Sequence, residues 1–496
     1  MKQEPSGEGP IVVVGAGMAG LGAALTLLRG GREVVVLERQ DYVGGLARTI
    51  AFDEHIFDVG PHYFFLDVND EVNALARSCM TDDEWRSIDF KVGAFIGKHH
   101  VPWPPSLSAV FKLPLTGIFQ HLRASVRAAL PQTYVAQEFL ESVYGRVMYE
   151  LFLGPYLKKK IPTEGGPSQL HRDWYNQAAR TSRNQLDVAR DKGLQMEPEL
   201  VREYMERHPE VAQRLAEERA REEREGKRGH HQGLLTRTLG IFIGLAKTAM
   251  EKNYKPVLYP PGGVGVITQR MAEAFTKEGG TLHLKAANVD LERDGDRVTR
   301  VTWDGGSVEN PQEVVWTGSI HRLCTLLEIP REELPFITIL LGMMKMRKPF
   351  PRGEDLYTYV AYPDIVFNRI YYPNRSIAGL CPPGKDSLCV EVTPTEQREQ
   401  TLPDNVEEEI YSGLEKLNIC RREDIEEIQF VWVPEGYPVY PLDYREKLTR
   451  IWEEIDTLSN LRSIGRSGQF WYNNMARSMG VGIETAQDVL GAEEGG

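Results

Sequence analysis

Three glycines near the start of the chain, and a carboxylate that follows them, have the types and spacing needed to bind a dinucleotide. Gly15, Gly17 and Gly20 form a GxGxxG pattern between the apolar run "IVVV" and an alanine-rich apolar stretch. The order of strand, tight turn and helix brings phosphate groups to a helix N-terminus. The first glycine makes the turn, the second lets the backbone approach a pyrophosphate, and the third lets the helix pack closely on the strand.

A carboxylate follows at the separation that such a site requires. The second predicted strand, "EVVVLE", ends at Glu38, eighteen residues after Gly20, where a carboxylate can accept hydrogen bonds from both ribose hydroxyls of an adenosine. Arg39 beside it is a further candidate for cofactor binding. A glycine-rich turn alone could be an ordinary loop, but strand, helix and terminal acid together favour a nucleotide site. NAD and FAD share this pattern, so it leaves the cofactor open.

The next two motifs distinguish the cofactors. "YVGGLART" at 42–49 and "FDVGPHYFF" at 57–65 contain six candidate residues: Gly44, Gly45, Arg48, Gly60, Pro61 and His62. This arrangement resembles the FAD-binding pattern of the superfamily that contains amine oxidases, protoporphyrinogen oxidases and UDP-galactopyranose mutases. The resemblance implies that the second glycine pair and its arginine lie along the FAD pyrophosphate, and that the histidine lies against the isoalloxazine ring. The alternative for the glycine pair is a loop with a solvated arginine.

Later stretches predict returns of the chain to the cofactor-binding domain. Residues 258–306 predict a glycine-rich turn, a helix, a strand ending near Val289, and a hairpin. In the relatives, the residue matching Val289 pairs with the adenine. Residues 313–320 predict a buried strand of the same sheet. Residues 463–490 predict a turn at Gly465 and then a helix whose N-terminus points at the flavin.

The predicted fold class is α/β with an α+β substrate part. A Rossmann-type FAD-binding domain takes residues 1–90, 256–325 and 431–496. Residues 91–255 form a helical substrate-side segment, and 326–430 form an antiparallel-sheet substrate domain, because strand-like runs alternate there. The charged insertion 192–233 lacks a full apolar stripe, so we favour a solvated surface segment over a partner-binding arm.

The resemblance covers nearly the whole chain and is closest to the longer, eukaryotic-type UDP-galactopyranose mutases and to protoporphyrinogen-oxidase-like proteins. "VFNRIYYPN" and "EGYPVY" match segments whose arginine and tyrosine, here Arg369 and Tyr437, contact substrate phosphate in the mutases. "GRSGQFWYNN" supplies Arg466, Tyr472 and Asn474, where the mutases touch flavin or diphosphate. Both tyrosines could instead be core aromatics with satisfied hydroxyl groups.

The predicted catalytic residues are His62, Arg369, Tyr437 and Tyr472. We expect the last three and Arg466 to converge on one cleft over the isoalloxazine, although they are distant in the chain. Two guanidinium groups and two phenols supply convergent hydrogen-bond donors. A polar or anionic small-molecule substrate is therefore expected.

The chain also departs from the mutases. Ala178 stands where they carry an arginine, "MARS" at 475–478 replaces their "QDHS", and Pro105 with Ser106 replaces an aromatic and a glutamine near Trp103. A diphosphate needs paired cations and donors, so the mutase-type substrate site is depleted.

Two main function hypotheses follow. The first is an FAD-dependent oxidoreductase of the amine oxidase and protoporphyrinogen oxidase class, which transfers a hydride from substrate to flavin N5. The second is a mutase-like flavoenzyme acting on a nucleotide sugar with no net redox change. A flavin-binding protein without catalysis is a third class. The altered diphosphate site favours the redox hypothesis.

Composition limits the partners. The net charge is −13, from 58 basic and 71 acidic side chains, which argues against nucleic-acid binding. Five scattered cysteines without a CxxC pair predict neither a disulfide framework nor a metal site, and they favour a reducing, cytoplasmic location. The apolar run "TLGIFIGLA" at 238–246 is too short to span a bilayer. We therefore expect a small-molecule substrate, no membrane span and no metal; an oligomer is possible.

Overall fold

The computed structural model describes residues 9–65, 70–96, 99–103, 133–163, 165–174, 257–350, 353–394 and 402–491. Some predicted features lie outside the described residues: Pro105, Ser106, Ala178, the charged insertion 192–233 and the apolar run 238–246. The predicted division into domains remains a prediction, and the architecture is described below by its sheets and helices.

Five parallel strands form the sheet that carries the first glycine-rich turn. Its three central strands are apolar, with mostly β-branched residues, and are buried along their whole length, as expected for a sheet covered on both faces. The strands predicted at 11–14, 33–38 and 313–320 therefore lie side by side. In spatial order the strands are Thr281–His283, Val34–Leu37, Ile11–Val14, Val314–Trp316 and Leu461–Ser463.

A seven-stranded sheet forms the second large layer. All its neighbouring strands are antiparallel except Tyr357–Val360 and Val92–Ile96, which run parallel. Two of its strands come from the region predicted to be helical, at 92–102. In spatial order the strands are Ile425–Pro438, Phe336–Met346, Asp386–Val392, Phe367–Tyr371, Tyr357–Val360, Val92–Ile96 and His99–Pro102.

Three smaller sheets and the helices complete the described fold. The small sheets are the hairpin Thr49–Phe52 and His55–Asp58; the strands Phe64–Phe65, Val257–Tyr259 and Arg86–Ile88; and the meander Asp290–Asp294, Arg297–Trp303 and Gly306–Glu309. The α-helices are Met18–Arg29, Asp70–Cys79, Ala136–Tyr144, Arg146–Met148, Gly154–Lys160, Gly265–Lys277, Ile320–Leu326, Pro373–Ser376, Val406–Lys416, Tyr444–Ile455, Gly465–Gly468 and Met475–Gly491. A π-helical turn, Tyr149–Leu153, precedes Gly154–Lys160, and short 3₁₀ turns occur at Asp82–Glu84, Gly166–Gln169, Arg172–Trp174 and Arg422–Asp424.

Two predicted strands are shorter than expected. The strand predicted at 313–320 covers only Val314–Trp316. The strand predicted to end near Val289 ends at His283. Lys285 and Asn288 follow with φ angles of 58° and 52°, a left-handed conformation that an extended strand excludes. Val289 therefore lies in the loop before the strand Asp290–Asp294.

Side-chain alternation gives the two faces of the seven-stranded sheet different roles. Leu388, Val390 and Val392 point to one face and form a core with the helix Val406–Lys416. The residues between them point to the opposite face, because side chains alternate along a strand. Glu391 is one of these residues, and it is buried on that face.

The first and last described helices are in backbone contact. A Cβ atom added at Gly22 would lie 2.9 Å from the carbonyl oxygen of Met479, and one added at Gly482 would collide with the carbonyl oxygen of Ala19. Glycine at both positions lets Met18–Arg29 and Met475–Gly491 approach more closely than side chains would allow. This contact brings the segment before the last helix beside the first glycine-rich turn.

A buried carboxylate ties the "GGLART" segment to the later glycine-rich turn. Asp58 is 1% exposed and accepts hydrogen bonds from the hydroxyl groups of Tyr259 at 2.6 Å and Thr49 at 2.7 Å, and from the N–H of Val264 at 3.0 Å. Burial raises the pKa of Asp58 from 3.8 to about 6, although these hydrogen bonds oppose the shift. The folded protein therefore holds a proton at Asp58 more tightly than the unfolded chain does.

We predict a pH-dependent difference in stability between the wild type and Asp58→Asn. The folded-state pKa is raised, so the stabilisation from protonating Asp58 is fully present below the unfolded pKa and lost as pH rises through about 6. Between pH 7 and pH 4 the wild type should gain roughly 2 kcal/mol relative to the variant. Urea unfolding across this range measures the difference, in which shifted groups common to both proteins, such as His62, Glu313 and Lys159, cancel. Parallel pH profiles for the two proteins would contradict the account.

Candidate functional site

The first glycine-rich turn and the second glycine pair meet in space. Gly15 has a φ of 106°, and Gly17 precedes the helix Met18–Arg29. Gly17 forms an isolated parallel bridge with Gly44, and the N–H of Gly44 donates to the carbonyl oxygen of Ala16 at 2.8 Å. The two motifs therefore form one backbone surface at a helix N-terminus, which suits an anionic phosphate.

The glycines of this surface are required in different ways. A Cβ atom at Gly20 would collide with the carbonyl oxygen of Gly15, so the third glycine allows close helix-strand packing. A Cβ atom at Gly17 would meet no described atom closer than 4.0 Å. Gly44 and Gly45 have φ angles of 112° and 57°, which side chains disfavour. The space at Gly17 is therefore available for a ligand rather than for packing.

Glu38 is positioned against the same turn. Its carboxylate is 7% exposed and accepts hydrogen bonds from the N–H groups of Ala16 and Gln40, both at 2.9 Å. Each carboxylate oxygen has a second lone pair, so the group can still accept hydrogen bonds from ribose hydroxyls. The turn and the carboxylate fit the adenosine and pyrophosphate of a dinucleotide such as FAD.

The other residues that were predicted to bind the cofactor make contacts separate from those of the first glycine-rich turn. Arg39 is exposed, and the Arg48 guanidinium lies 5.0 Å from the centre of the Tyr42 ring. The carbonyl oxygen of Val289 accepts a hydrogen bond from Arg322 at 3.3 Å. The Asn474 side-chain oxygen accepts the N–H of Arg477 at 2.9 Å and caps the last helix. Pro61 is half-buried between Gly60 and His62.

Four of the residues predicted to share a cleft come together. A guanidinium N–H of Arg369 donates to the Tyr437 hydroxyl at 2.9 Å. The rings of Tyr437 and Tyr472 meet edge to face, with centroids 5.0 Å apart. The Arg466 guanidinium lies 5.6 Å from the Tyr437 centroid and 5.4 Å from the Tyr472 centroid. These residues span three separate elements and the loop before the last helix, yet they form one cluster.

Local contacts fix the cluster. Arg466 lies in the single helical turn Gly465–Gly468 and donates to the carbonyl oxygens of Gly436, at 3.0 Å, and Asn473. The backbone N–H of Tyr472 donates to the Tyr440 hydroxyl at 2.7 Å. Backbone carbonyl groups therefore hold the Arg466 side chain in place, and the hydroxyl group of Tyr440 holds the backbone of Tyr472 in place.

Two ionisable members of the cluster carry no sequence motif. Glu391 is the cross-strand partner of Arg369 and forms an ion pair with it. The same carboxylate is in direct contact with the amine of Lys160, which is 2% exposed and has its Nζ 4.0 Å from the centre of the Tyr437 ring. Lys160 is the last of three consecutive lysines, a pattern typical of a solvated helix end. Glu391 sits in an apolar strand without a motif, so neither residue carried a sequence signal.

His62 lies near the cationic cluster and is neutral there. Its Nδ1 is 3.1 Å from the carbonyl oxygen of Gly60. Burial, with the positive charge of Arg466 as the next cause, lowers the pKa of His62 to about 3. The neutral imidazole can donate or accept a hydrogen bond. It is a weak base near neutral pH, and its catalytic role remains a prediction.

Aromatic side chains continue the cluster. Tyr359 is the cross-strand partner of Arg369, and its ring lies 5.1 Å from that of Tyr156. Phe152 lies 5.9 Å from Tyr156 and 4.6 Å from Trp103. These aromatic rings form a row that begins beside Arg369 and leads away from the two arginines. The row places flat apolar side chains next to the charged ones.

Comparison with protein families identifies the chain. The model of the family described as "Flavin containing amine oxidoreductase" matches residues 18–489. The chain belongs to this flavin-containing family. Membership confirms the predicted superfamily and the predicted FAD cofactor, and it supports an enzyme of the oxidoreductase type.

Individual relatives of this flavin-containing oxidoreductase are distant. A phytoene dehydrogenase of Streptomyces griseus is 26% identical over 296 residues, which are 59% of this chain and 51% of that enzyme. The chain thus spans about half the length of that relative. The solved structure of a reduced UDP-galactopyranose mutase has a TM-score of 0.71 at 18% identity, covering 98% of this chain and 94% of the other. A putative protoporphyrinogen oxidase from Exiguobacterium sp. 255-15 gives 0.69 at 15%, covering 98% and 99%. The structural matches show the fold alone.

Two further observations concern metals and membranes. Within the residues described above, no three His, Cys, Asp or Glu side chains are grouped so that they could hold a metal ion. In the same part of the oxidoreductase, no helix is both long and apolar enough to cross a membrane. All five cysteines are free thiols.

We predict that Gly17→Val abolishes FAD retention without preventing folding. The backbone at residue 17 is extended, with φ −83° and ψ −175°, so valine fits the conformation. Its side chain would occupy the surface that a pyrophosphate must approach. Flavin absorbance per mole of purified protein measures the loss, and circular dichroism checks the fold.

The control is Gly491→Val, because no atom of the described residues lies within 4 Å of a Cβ atom there. It should keep full flavin content. Gly20→Ala should instead fail to fold, since its Cβ atom collides with backbone. A folded Gly17→Val protein with normal flavin content would contradict the prediction that the pyrophosphate lies against the backbone at Gly17.

Proposed function

We propose that the protein is an FAD-dependent oxidoreductase that takes a hydride from a polar or anionic small-molecule substrate. The observation that carries this proposal is the convergence of Arg369, Tyr437, Arg466 and Tyr472 in one cluster, in which the first two are buried and the last two half-buried. These side chains supply hydrogen-bond donors of fixed orientation. When bound, FAD supplies the N5 position that accepts the hydride.

Separate residues would hold the two ends of the cofactor. We propose that the five-stranded parallel sheet is a Rossmann-type unit in which Glu38 binds the ribose and the backbone at Gly17 and Gly44 binds the pyrophosphate. Val289 would contact the adenine. His62 would lie beside the isoalloxazine as a neutral hydrogen-bonding group, with Gly465 and Asn474 nearby.

The cleft residues would bind and orient the substrate. Arg369 and Arg466 offer planar, permanently charged donors that suit carboxylate or phosphate oxygens. Burial raises the pKa of the Tyr472 phenol, so its hydroxyl stays protonated and can donate. The aromatic row from Tyr359 to Trp103 would exclude water and pack against the body of the substrate.

The alternative function is that of a nucleotide-sugar mutase without net redox change. Similarity to the reduced UDP-galactopyranose mutase, with a TM-score of 0.71, supports its fold but not its chemistry. Ala476 and Arg477 stand where the mutases carry an acid and a histidine, and Ala476 is fully buried. An apolar methyl group cannot replace a carboxylate, so we favour the oxidoreductase.

One experiment distinguishes the two functions. The dithionite-reduced protein is incubated with UDP-galactopyranose, and the sugar nucleotide is analysed by chromatography. In parallel, the oxidised protein is mixed anaerobically with polar amines, alcohols and carboxylates while the flavin absorbance is recorded. We expect no furanose product and bleaching by one substrate class. Furanose formation at a steady rate would overturn the oxidoreductase assignment.

We predict that Arg369→Ala weakens binding of the substrate that bleaches the flavin. Loss of one charged hydrogen bond costs about 1.5–3 kcal/mol, or roughly 10- to 150-fold in affinity. Stopped-flow flavin reduction at varied substrate concentration gives the apparent Kd. Arg421→Ala is the matched control, because Arg421 is 79% exposed and should leave the Kd unchanged. Equal Kd values for wild type and Arg369→Ala would remove Arg369 from the substrate site.

A further inference from the structure

The charges in the cluster do not balance. Arg369 and Arg466 are permanently positive, and Glu391 is the carboxylate that pairs with Arg369. Lys160 contacts this same carboxylate. One carboxylate cannot neutralise three cations. Since neither guanidinium can release its proton, the amine of Lys160 is the group whose charge can adjust.

The surroundings of Lys160 come from several elements. Glu391 and Arg369 face it from two neighbouring strands, Tyr437 presents its ring from the strand Ile425–Pro438, and Arg466 acts from the turn Gly465–Gly468. On its own helix, Lys158 is exposed and Tyr156 joins the aromatic row. Lys159 points elsewhere and donates to the carbonyl oxygens of Val360, Tyr362 and Phe367.

The Lys159 contacts explain why Lys160 is buried. Three hydrogen bonds of 2.6–3.1 Å attach the end of the helix Gly154–Lys160 to backbone carbonyls where two inner strands of the seven-stranded sheet are joined. The next residue in the helix is thereby directed into the cluster. Burial and the charges of Arg369 and Arg466 hold the pKa of Lys160 well below its ordinary value. Both causes favour the neutral amine as long as no further negative charge is present.

We propose that an anionic group of the substrate, a carboxylate or a phosphate, binds at Arg369 and Arg466 and that Lys160 takes up one proton from solvent as it binds. The anion supplies the negative charge that the cluster lacks, so the amine becomes an ammonium paired with Glu391. The net reaction adds one anion and one proton to the site, and no other bond is made or broken. This inference rests on the cleft of the proposed function, and it concerns substrate binding rather than redox chemistry.

The test uses the holoprotein and two probes. Sulfate stands in for a phosphate group, and benzoate stands in for a carboxylate; neither probe titrates near neutral pH. Binding is followed by the change in flavin absorbance. Calorimetry in two buffers of different ionisation enthalpy then gives the number of protons taken up. A response to sulfate alone assigns a phosphate-bearing substrate, and a response to benzoate alone assigns a carboxylate.

We expect the wild type to take up close to one proton per anion, and its affinity to fall as pH rises, by up to about tenfold per pH unit. Lys160→Met and Lys160→Gln should bind the anion on the order of tenfold more weakly without proton uptake. The glutamine variant keeps a donor toward Glu391 if the methionine variant folds poorly. Lys158→Met, at the exposed lysine of the same helix, should match the wild type.

Three different results would overturn the proposal about anion binding and Lys160. Absence of binding by both probes would remove the anion site, and binding without proton uptake would remove the role of Lys160. Proton uptake that persists in both Lys160 variants would do the same. None of these measurements needs turnover. A protein that binds anions with proton uptake but never has its flavin reduced would contradict the proposed oxidoreductase function alone.

Discussion

The backbone contact between the first and last described helices is the constraint on which the site depends. Gly22 and Gly482 let Met18–Arg29 and Met475–Gly491 touch with no side chain between them. The first helix carries the glycine-rich turn at its N-terminus, and the last helix is preceded by Tyr472 and Asn473. Close packing of these two helices therefore brings residues from opposite ends of the chain to one place. Larger side chains at either glycine would move the first glycine-rich turn away from the cluster that contains Tyr472.

Glu391 is the second residue on which the site depends, because its carboxylate joins its own strand to the strand of Arg369 and to the helix of Lys160. It pairs with Arg369 across the sheet and with Lys160 from the preceding helical region. The carboxylate of Glu391 orients the guanidinium that also donates to Tyr437. Polar contacts thus hold the cluster together, alongside the packing of the Tyr437 and Tyr472 rings. This arrangement leaves an excess of positive charge, which suits an anionic ligand.

The parts of the site that sequence analysis predicted are those fixed by local order. Gly15, Gly17, Gly20 and Glu38 belong to a strand-turn-helix-strand unit whose geometry follows from spacing alone. Resemblance to a family added Arg369 and Tyr437. The partners of these residues could not be predicted, because the pairing of Arg369 with Glu391 depends on the register between strands. Burial of Lys160 depends on how Lys159 attaches its helix to the sheet. The neutral state of His62 depends first on its burial and then on the positive charge of Arg466, which is distant in the chain.

The most direct measurement of the central claim is a crystal structure of the protein with FAD. The account predicts the adenosine ribose within hydrogen-bond distance of Glu38, the pyrophosphate against Gly17 and Gly44, and the isoalloxazine ring next to His62. Arg369, Tyr437 and Tyr472 should face the ring across the cleft. A flavin ring that lies away from these residues, or a pyrophosphate that does not contact the two glycine motifs, would contradict the account.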